Sequence, residues 1–159
     1  MCLTYQKIIY NGSKLIGPFY KVVFVGPKGG LISPWAGTYL RTDRLMIAKN
    51  NPQPENKTVL KWFSTGLGGV TYGKLYGFTA FADYNSAQGM IKVIEKGIQR
   101  RKETLNMIPK IIEVYMSGEI VTGLSFSSFE SLIADKMIIF DKKQPKNIFD
   151  IKKIKVMFQ

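Results

Sequence analysis

The chain of 159 residues carries 23 basic and 11 acidic side chains, which gives it a net charge of +12. It has no histidine and one cysteine, Cys2, which excludes a Ser-His-Asp or Cys-His catalytic group, an internal disulfide and a cysteine-based metal site. The length suits a single domain, residues 1–159, and no run of about 18 apolar residues predicts a membrane helix. This positive charge favours anionic partners such as nucleotides and nucleic acid, and we expect no metal and no cofactor.

The first residues predict two short strands. Residues 3–10 and 19–25 are rich in β-branched and aromatic side chains, and Asn11 followed by Gly12 between them is typical of a tight turn. The glycine-rich segment 26–30 ends the second strand. Its spacing does not match a phosphate-binding P-loop, and we interpret it as a plain turn.

Aromatic and cationic side chains are mixed in the following segment. Trp35 and Tyr39 lie close in sequence to Arg41 and Arg44. Flat rings stack on nucleotide bases, and guanidinium groups bind phosphates through paired hydrogen bonds. The same pattern is equally compatible with core aromatic residues beside surface arginines. Residues 58–63 then predict a further strand.

Residues 84–104 predict the one long helix. Asn85 stands where an N-cap is expected, and Gln88 follows it at the spacing of a capping box. Apolar residues recur at helical spacing and predict the face that packs on the sheet, namely Ala87, Met90, Ile91, Ile94 and Ile98.

The remaining residues predict short strands. They are expected at 110–117, 120–121, 124–126, 132–140 and, as a lysine-rich edge strand, 148–158, with Gly118 and Glu119 as a turn. Together these patterns predict an α+β fold, in which a bent, mostly antiparallel sheet of about six to eight strands packs on one main helix.

Candidate ligand-binding residues are aromatic, cationic or hydroxyl-bearing side chains: Tyr20, Lys21, Trp35, Tyr39, Arg41, Phe78, Thr79 and Lys136. In this hypothesis a ring such as Trp35 or Phe78 stacks on a base, and Lys21, Arg41 and Lys136 neutralise phosphates. The hydroxyl of Thr79 forms a hydrogen bond. Tyr20 and Phe78 are also compatible with core packing.

Five short segments resemble a family of small proteins of bacteriophages and other viruses. They are Met1-Cys-Leu-Thr4, Tyr20-Lys-Val-Val23, Ser33-Pro-Trp-Ala-Gly37, Gly77-Phe-Thr-Ala-Phe81 and Ile133-Ala-Asp-Lys-Met137. Members of the family open with Met-Cys-Leu and often carry Gly-Phe-His-Ala-Phe. This chain has Thr79 where that histidine is common, so a catalytic role of the histidine would not extend to it.

In its size and charge the chain is also similar to viral "sponge" proteins, which sequester cyclic oligonucleotides or related immune signals. By this analogy the chain is a viral immune-evasion protein in the cytoplasm of the infected host cell. It would bind a phosphate-rich nucleotide without catalysis, with no membrane involved, and a homo-oligomer fits the analogy.

Two alternatives stay open. One is general nucleic-acid binding through the lysines of the helix and of the C-terminal segment. The other is a hydrolase whose nucleophile is Cys2, exposed by removal of Met1. The lack of histidine favours binding over catalysis.

Overall fold

The computed structural model describes residues 4–34, 38–48, 77–101, 107–125 and 129–140. In these ranges the strands of one antiparallel sheet accompany a single helix, which confirms the predicted α+β fold. The elements are β1 (Thr4–Val25), β2 (Leu31–Ile32), β3 (Tyr39–Leu40), β4 (Met46–Ile47), β5 (Phe78–Phe81), α1 (Tyr84–Arg101), β6 (Ile108–Ser125) and β7 (Phe129–Ile138).

Four of the strands close into a ring. β1 pairs with β6, β6 with β7, β7 with β5, and β5 with β1. The ladder between β1 and β6 is long, whereas β1 and β5 share only one residue pair, Tyr20 with Phe81. β2 and β3 extend the sheet from β1, and β4 pairs with β7. The contact between β1 and β5, which we call the seam, is therefore the weakest backbone junction of the ring.

The two turns predicted at Asn11-Gly12 and Gly118-Glu119 are wrong. Both lie inside long strands and face each other across the ladder, where Asn11 pairs with Glu119 and Gly12 with Gly118. Gly118 has a φ of 79°, and the Asp135 carboxylate accepts the Glu119 N–H at 3.0 Å. Register shifts follow Gly12 on β1 and Ser117 in the β6–β7 ladder. The turn-forming residues therefore bend a two-stranded ribbon instead of reversing it, and the separately predicted strands merge into β1 and β6.

The interior of the ring holds one part of the core. Alternate residues of all four ring strands point inward, and the buried set includes Phe19, Val23, Ala80, Val114, Met116, Ile120, Leu132, Ala134 and Met137. The larger apolar side chains of this set, those other than alanine, stabilise the fold by about 1.5 to 3 kcal/mol each when fully buried.

Helix α1 packs on the outer face of the ring. Ala87, Met90 and Ile94 are buried against Val22, Phe24 and Phe81, and Ile91 packs at the margin, as the helical periodicity predicted. The predicted N-cap was two residues late, because Asp83 caps the helix. Its carboxylate accepts the Ser86 N–H at 2.7 Å and the Ser86 hydroxyl at 2.9 Å.

The glycine-rich segment 26–30 forms a plain turn, as predicted. The Gly26 N–H donates to Gly30 O and the Gly29 N–H donates to Gly26 O, both at 2.9 Å. Several predictions concern residues outside the described ranges, namely Cys2, Trp35, the strands at 58–63 and 148–158, the helix beyond Arg101 and the side chain of Ile98.

Candidate functional site

Lys21 is the one charged side chain among the buried residues of the described ranges. It is 2% exposed. On β1 it lies between Phe19 and Val23, whose side chains belong to the ring interior. Because side chains alternate along a strand, the lysine also leaves β1 on the inner face. A lysine at such a position is unusual, since an ammonium group is rarely buried without a partner.

The amine of Lys21 contacts β5. Its Nζ donates to the backbone oxygen of Thr79 at 2.6 Å and to the Thr79 hydroxyl at 3.2 Å. An ammonium group has three donors. Within the described part of the chain, both of its acceptors belong to one residue, Thr79. Thr79 itself is half-buried. The buried amine therefore lies one hydrogen bond away from a hydroxyl on a partly exposed residue.

This contact lies at the seam. β1 and β5 share one backbone pair at Tyr20 and Phe81, and the backbone of Thr79 pairs with Ile133 of β7. Phe78 and Ala80 pack with the ring interior, so alternation directs the Thr79 side chain to the outer face. Since Lys21 starts on the inner face and its tip reaches an outer-face hydroxyl, the amine occupies the gap between the two strands.

Burial lowers the pKa of Lys21 from its ordinary 10.5 to about 7. Loss of solvation is the cause, because water stabilises the charged form and the ring interior does not. Within the described ranges no carboxylate forms an ion pair with the amine. Near neutral pH the group therefore titrates, and an added negative charge beside it would favour its protonated form.

Tyr20 lies next to Lys21 in sequence but on the opposite face. Its ring meets the ring of Tyr84 edge-on, with 5.5 Å between the centroids, and it pairs across β6 with Glu113. Burial, Glu113, Asp83 and Tyr84 together raise the pKa of its phenol. Tyr20 thus belongs to an acidic, aromatic surface at the start of α1, a grouping that the sequence analysis missed because it depends on the β1–β6 register.

The other predicted residues are distributed over several strands. Phe78 precedes Thr79 and is half-buried against the ring interior. Tyr39, on the edge strand β3, and Arg41 are exposed. Lys136 is half-buried on β7, two residues beyond the position that pairs with Phe78. The structure therefore joins Lys21 with Thr79, has Phe78 next to Thr79 along β5, and leaves Tyr39 on the edge strand β3.

The described ranges contain no group of three or more cysteine and acidic residues that could hold a metal ion. Nor does their helix combine the length and apolarity needed to cross a membrane. Comparison with known proteins gives no match to a protein-family model, a curated protein or a solved structure.

Proposed function

We propose that the protein captures a phosphate-bearing nucleotide without converting it, and that Lys21 and Thr79 hold a phosphate of that ligand. The carrying observation is a buried amine that has no carboxylate counter-ion in the described ranges and lies one hydrogen bond from half-exposed Thr79. Burying an ammonium group is unfavourable unless a negative charge compensates it. A phosphate supplies that charge and accepts strong, charge-assisted hydrogen bonds.

The proposed contacts follow from the donors at the seam. The amine uses two of its N–H groups on Thr79, so its third remains for an anion within the described part of the chain. The Thr79 hydroxyl can donate to an oxygen of the ligand while it accepts from Lys21.

Binding fits these residues better than catalysis does. The chain has no histidine, and the described ranges place no carboxylate on the Lys21 amine that could act as its proton acceptor. A binding protein needs neither group. It needs a cation and a hydroxyl that can hold a phosphate, and Lys21 and Thr79 carry these groups at the seam.

The biological part of the proposal rests on the resemblance to phage and virus proteins. We infer a role in which the captured nucleotide is a cyclic oligonucleotide or a related immune signal of the infected cell. The net charge of +12 supports this role by attracting polyanionic ligands over long distances.

Isothermal titration calorimetry tests the proposal directly. The purified chain is titrated with cyclic dinucleotides, cyclic trinucleotides, linear dinucleotides and mononucleotides. We expect heat from at least one of them and loss of that heat in Lys21→Met. Lys28→Met is the matched control, because Lys28 is an exposed lysine in the 26–30 turn. Nucleotide binding that is unchanged in Lys21→Met would reject the proposed site. No binding of any nucleotide would reject the proposed function.

General nucleic-acid binding is the second candidate, because Lys92 and Lys96 are exposed on α1. Contacts with about six to ten phosphates would lower the affinity for an oligonucleotide about 10³- to 10⁵-fold between about 50 and 200 mM salt. A discrete ligand with two or three phosphates would lose about tenfold over the same range. A salt titration therefore separates the two candidates, and Lys92→Gln with Lys96→Gln would weaken only the second.

A further inference from the structure

We infer that anion binding at the seam is coupled to protonation. Lys21 takes up a proton when an anion arrives beside Thr79, so that the protein binds the anion and the proton together and releases them together. This inference rests on the proposed function and adds to it the charge state in which the site binds. It predicts an affinity that increases as the pH falls, even for an anion that does not itself titrate.

The Lys21 amine contacts no counter-charge within the described part of the chain. The Nζ atom contacts two neutral acceptors, both from Thr79, and the residue is 2% exposed. Neutral oxygens solvate an ammonium group less well than water does. The free protein therefore disfavours the proton on this amine, and an anion beside it reverses that preference.

None of the other titratable groups on the described elements around Lys21 forms a hydrogen bond with its amine. β5 contributes none, since it consists of Phe78–Phe81. On β6 the lysine pairs with Ile112, while Glu113 pairs with Tyr20 and both point to the outer face. On β7, Asp135 accepts the N–H of Glu119, and Glu130 and Lys136 lie at the positions that pair with Leu124 and Ser117 of β6. On α1 and its cap, Tyr84 and Asp83 interact with Tyr20.

The pKa of Lys21 determines how strongly the anion affinity depends on pH. With the pKa of the free amine at about 7, sites at higher pH are mostly neutral and must gain a proton to bind. The apparent affinity then falls by about tenfold for each pH unit above 7 and levels off below it. A lysine with an ordinary pKa would show no such dependence below about pH 9.

Sulfate is a suitable probe because its charge stays constant between about pH 5 and 9, whereas a phosphate monoester titrates near pH 6. Sulfate affinity would be measured by calorimetry across this range. In parallel, the carbon-13 shift of the Lys21 Cε atom reports the protonation of the amine in the unmodified protein. Through-bond correlation with the backbone resonances of Lys21 assigns that signal. We expect the titration of Lys21 to move to higher pH in saturating sulfate.

Three variants sharpen the test. Thr79→Ser keeps the hydroxyl and should keep the pH dependence. Thr79→Val removes the hydroxyl and should weaken sulfate binding. Lys21→Arg carries a group that stays protonated throughout the range, so its sulfate affinity should be flat with pH. The carbon-13 measurement needs no variant to fold, so it decides the matter if the substitutions disrupt the ring.

The outcomes separate this inference from the proposed function. If Lys21 titrates at the same pH with and without sulfate, or if sulfate does not bind, the proton coupling is wrong. Nucleotide heat that depends on Lys21 would then still support the proposed function. If sulfate shifts the titration but no nucleotide binds, the coupling stands and the nucleotide proposal fails.

Discussion

Replacing Lys21 by methionine should stabilise the folded protein at low pH and destabilise it at high pH. Methionine has a similar length and flexibility but no charge. In the wild-type protein the pKa falls from 10.5 to about 7 on folding. At about 1.4 kcal/mol for each pH unit, the buried proton costs about 5 kcal/mol at pH values below 7. Against this, the variant leaves the backbone oxygen of Thr79 without its donor, a loss of about 1 to 3 kcal/mol.

The direction in which stability changes with pH follows from the number of protons bound by the folded and the unfolded chain. Between pH 7 and 10.5 the unfolded chain binds more protons at Lys21 than the folded chain does, so wild-type stability rises with pH in this window. At pH 6 the variant should be about 2 to 4 kcal/mol more stable than the wild type, and near pH 10 up to about 2 kcal/mol less stable. The two curves therefore cross within the window.

Urea unfolding followed by circular dichroism, at one-unit steps from pH 6 to 10, measures both curves. Chloride should be the sole anion, because a bound anion would relieve the penalty of the buried charge. Lys28→Met, at an exposed position, should run parallel to the wild type. Parallel curves for Lys21→Met as well would refute the reasoning, since they would mean that the amine keeps an ordinary pKa in the folded chain.

Substitutions at four positions test other parts of the structure. Asp83→Ala should cost about 1 kcal/mol of stability in urea unfolding, whereas Asp83→Ser should retain most of the cap. Gly118→Ala should be destabilising by more than about 1 kcal/mol, because a Cβ there would lie 2.8 Å from the Cβ of Asp135 and the φ is 79°; an unchanged midpoint would contradict the described bend. Met90→Ala should cost about 2 to 5 kcal/mol through the cavity that it leaves, and a smaller loss would mean that α1 packs more loosely than described. Burial raises the pKa of Tyr115 to about 12, so the unfolded chain ionises first and stability should fall above pH 10; Tyr115→Phe should reduce that fall.

Local patterns predicted the helix well because its determinants are local. The apolar spacing of Ala87, Met90 and Ile94 alone defines the buried face. The N-cap was misplaced because Asp83 and Asn85 are both good caps, and only the position of the strand before the helix selects between them.

The long strands could not be predicted from local patterns. Asn11-Gly12 and Gly118-Glu119 are each strong turn signals, yet they are placed opposite each other by a ladder between residues far apart in sequence. Each pair becomes a bend only in the presence of the other. A turn signal shows that the backbone can deviate there, and the partner strand decides how.

The candidate site was predicted in part. Lys21 and Thr79 were both among the expected ligand-binding residues, and the structure joins them across 58 positions of sequence. The burial of Lys21 could not be foreseen, because alternation along β1 makes it equally compatible with either face. Tyr39 and Arg41 were grouped with them through shared chemistry, but Tyr39 lies on the edge strand β3 and Arg41 is an exposed residue that follows it.

The pairing of β1 with β6 has a consequence for how the chain acquires its shape. β1 is made first by the ribosome, yet the strand that completes its ladder comes only after β5 and α1. Partners so distant along the chain slow folding, and an apolar strand left waiting invites aggregation with other nascent chains. Lys7, Lys14 and Lys21 interrupt β1 at regular intervals, so their charges would keep the newborn segment apart from its neighbours until β6 emerges.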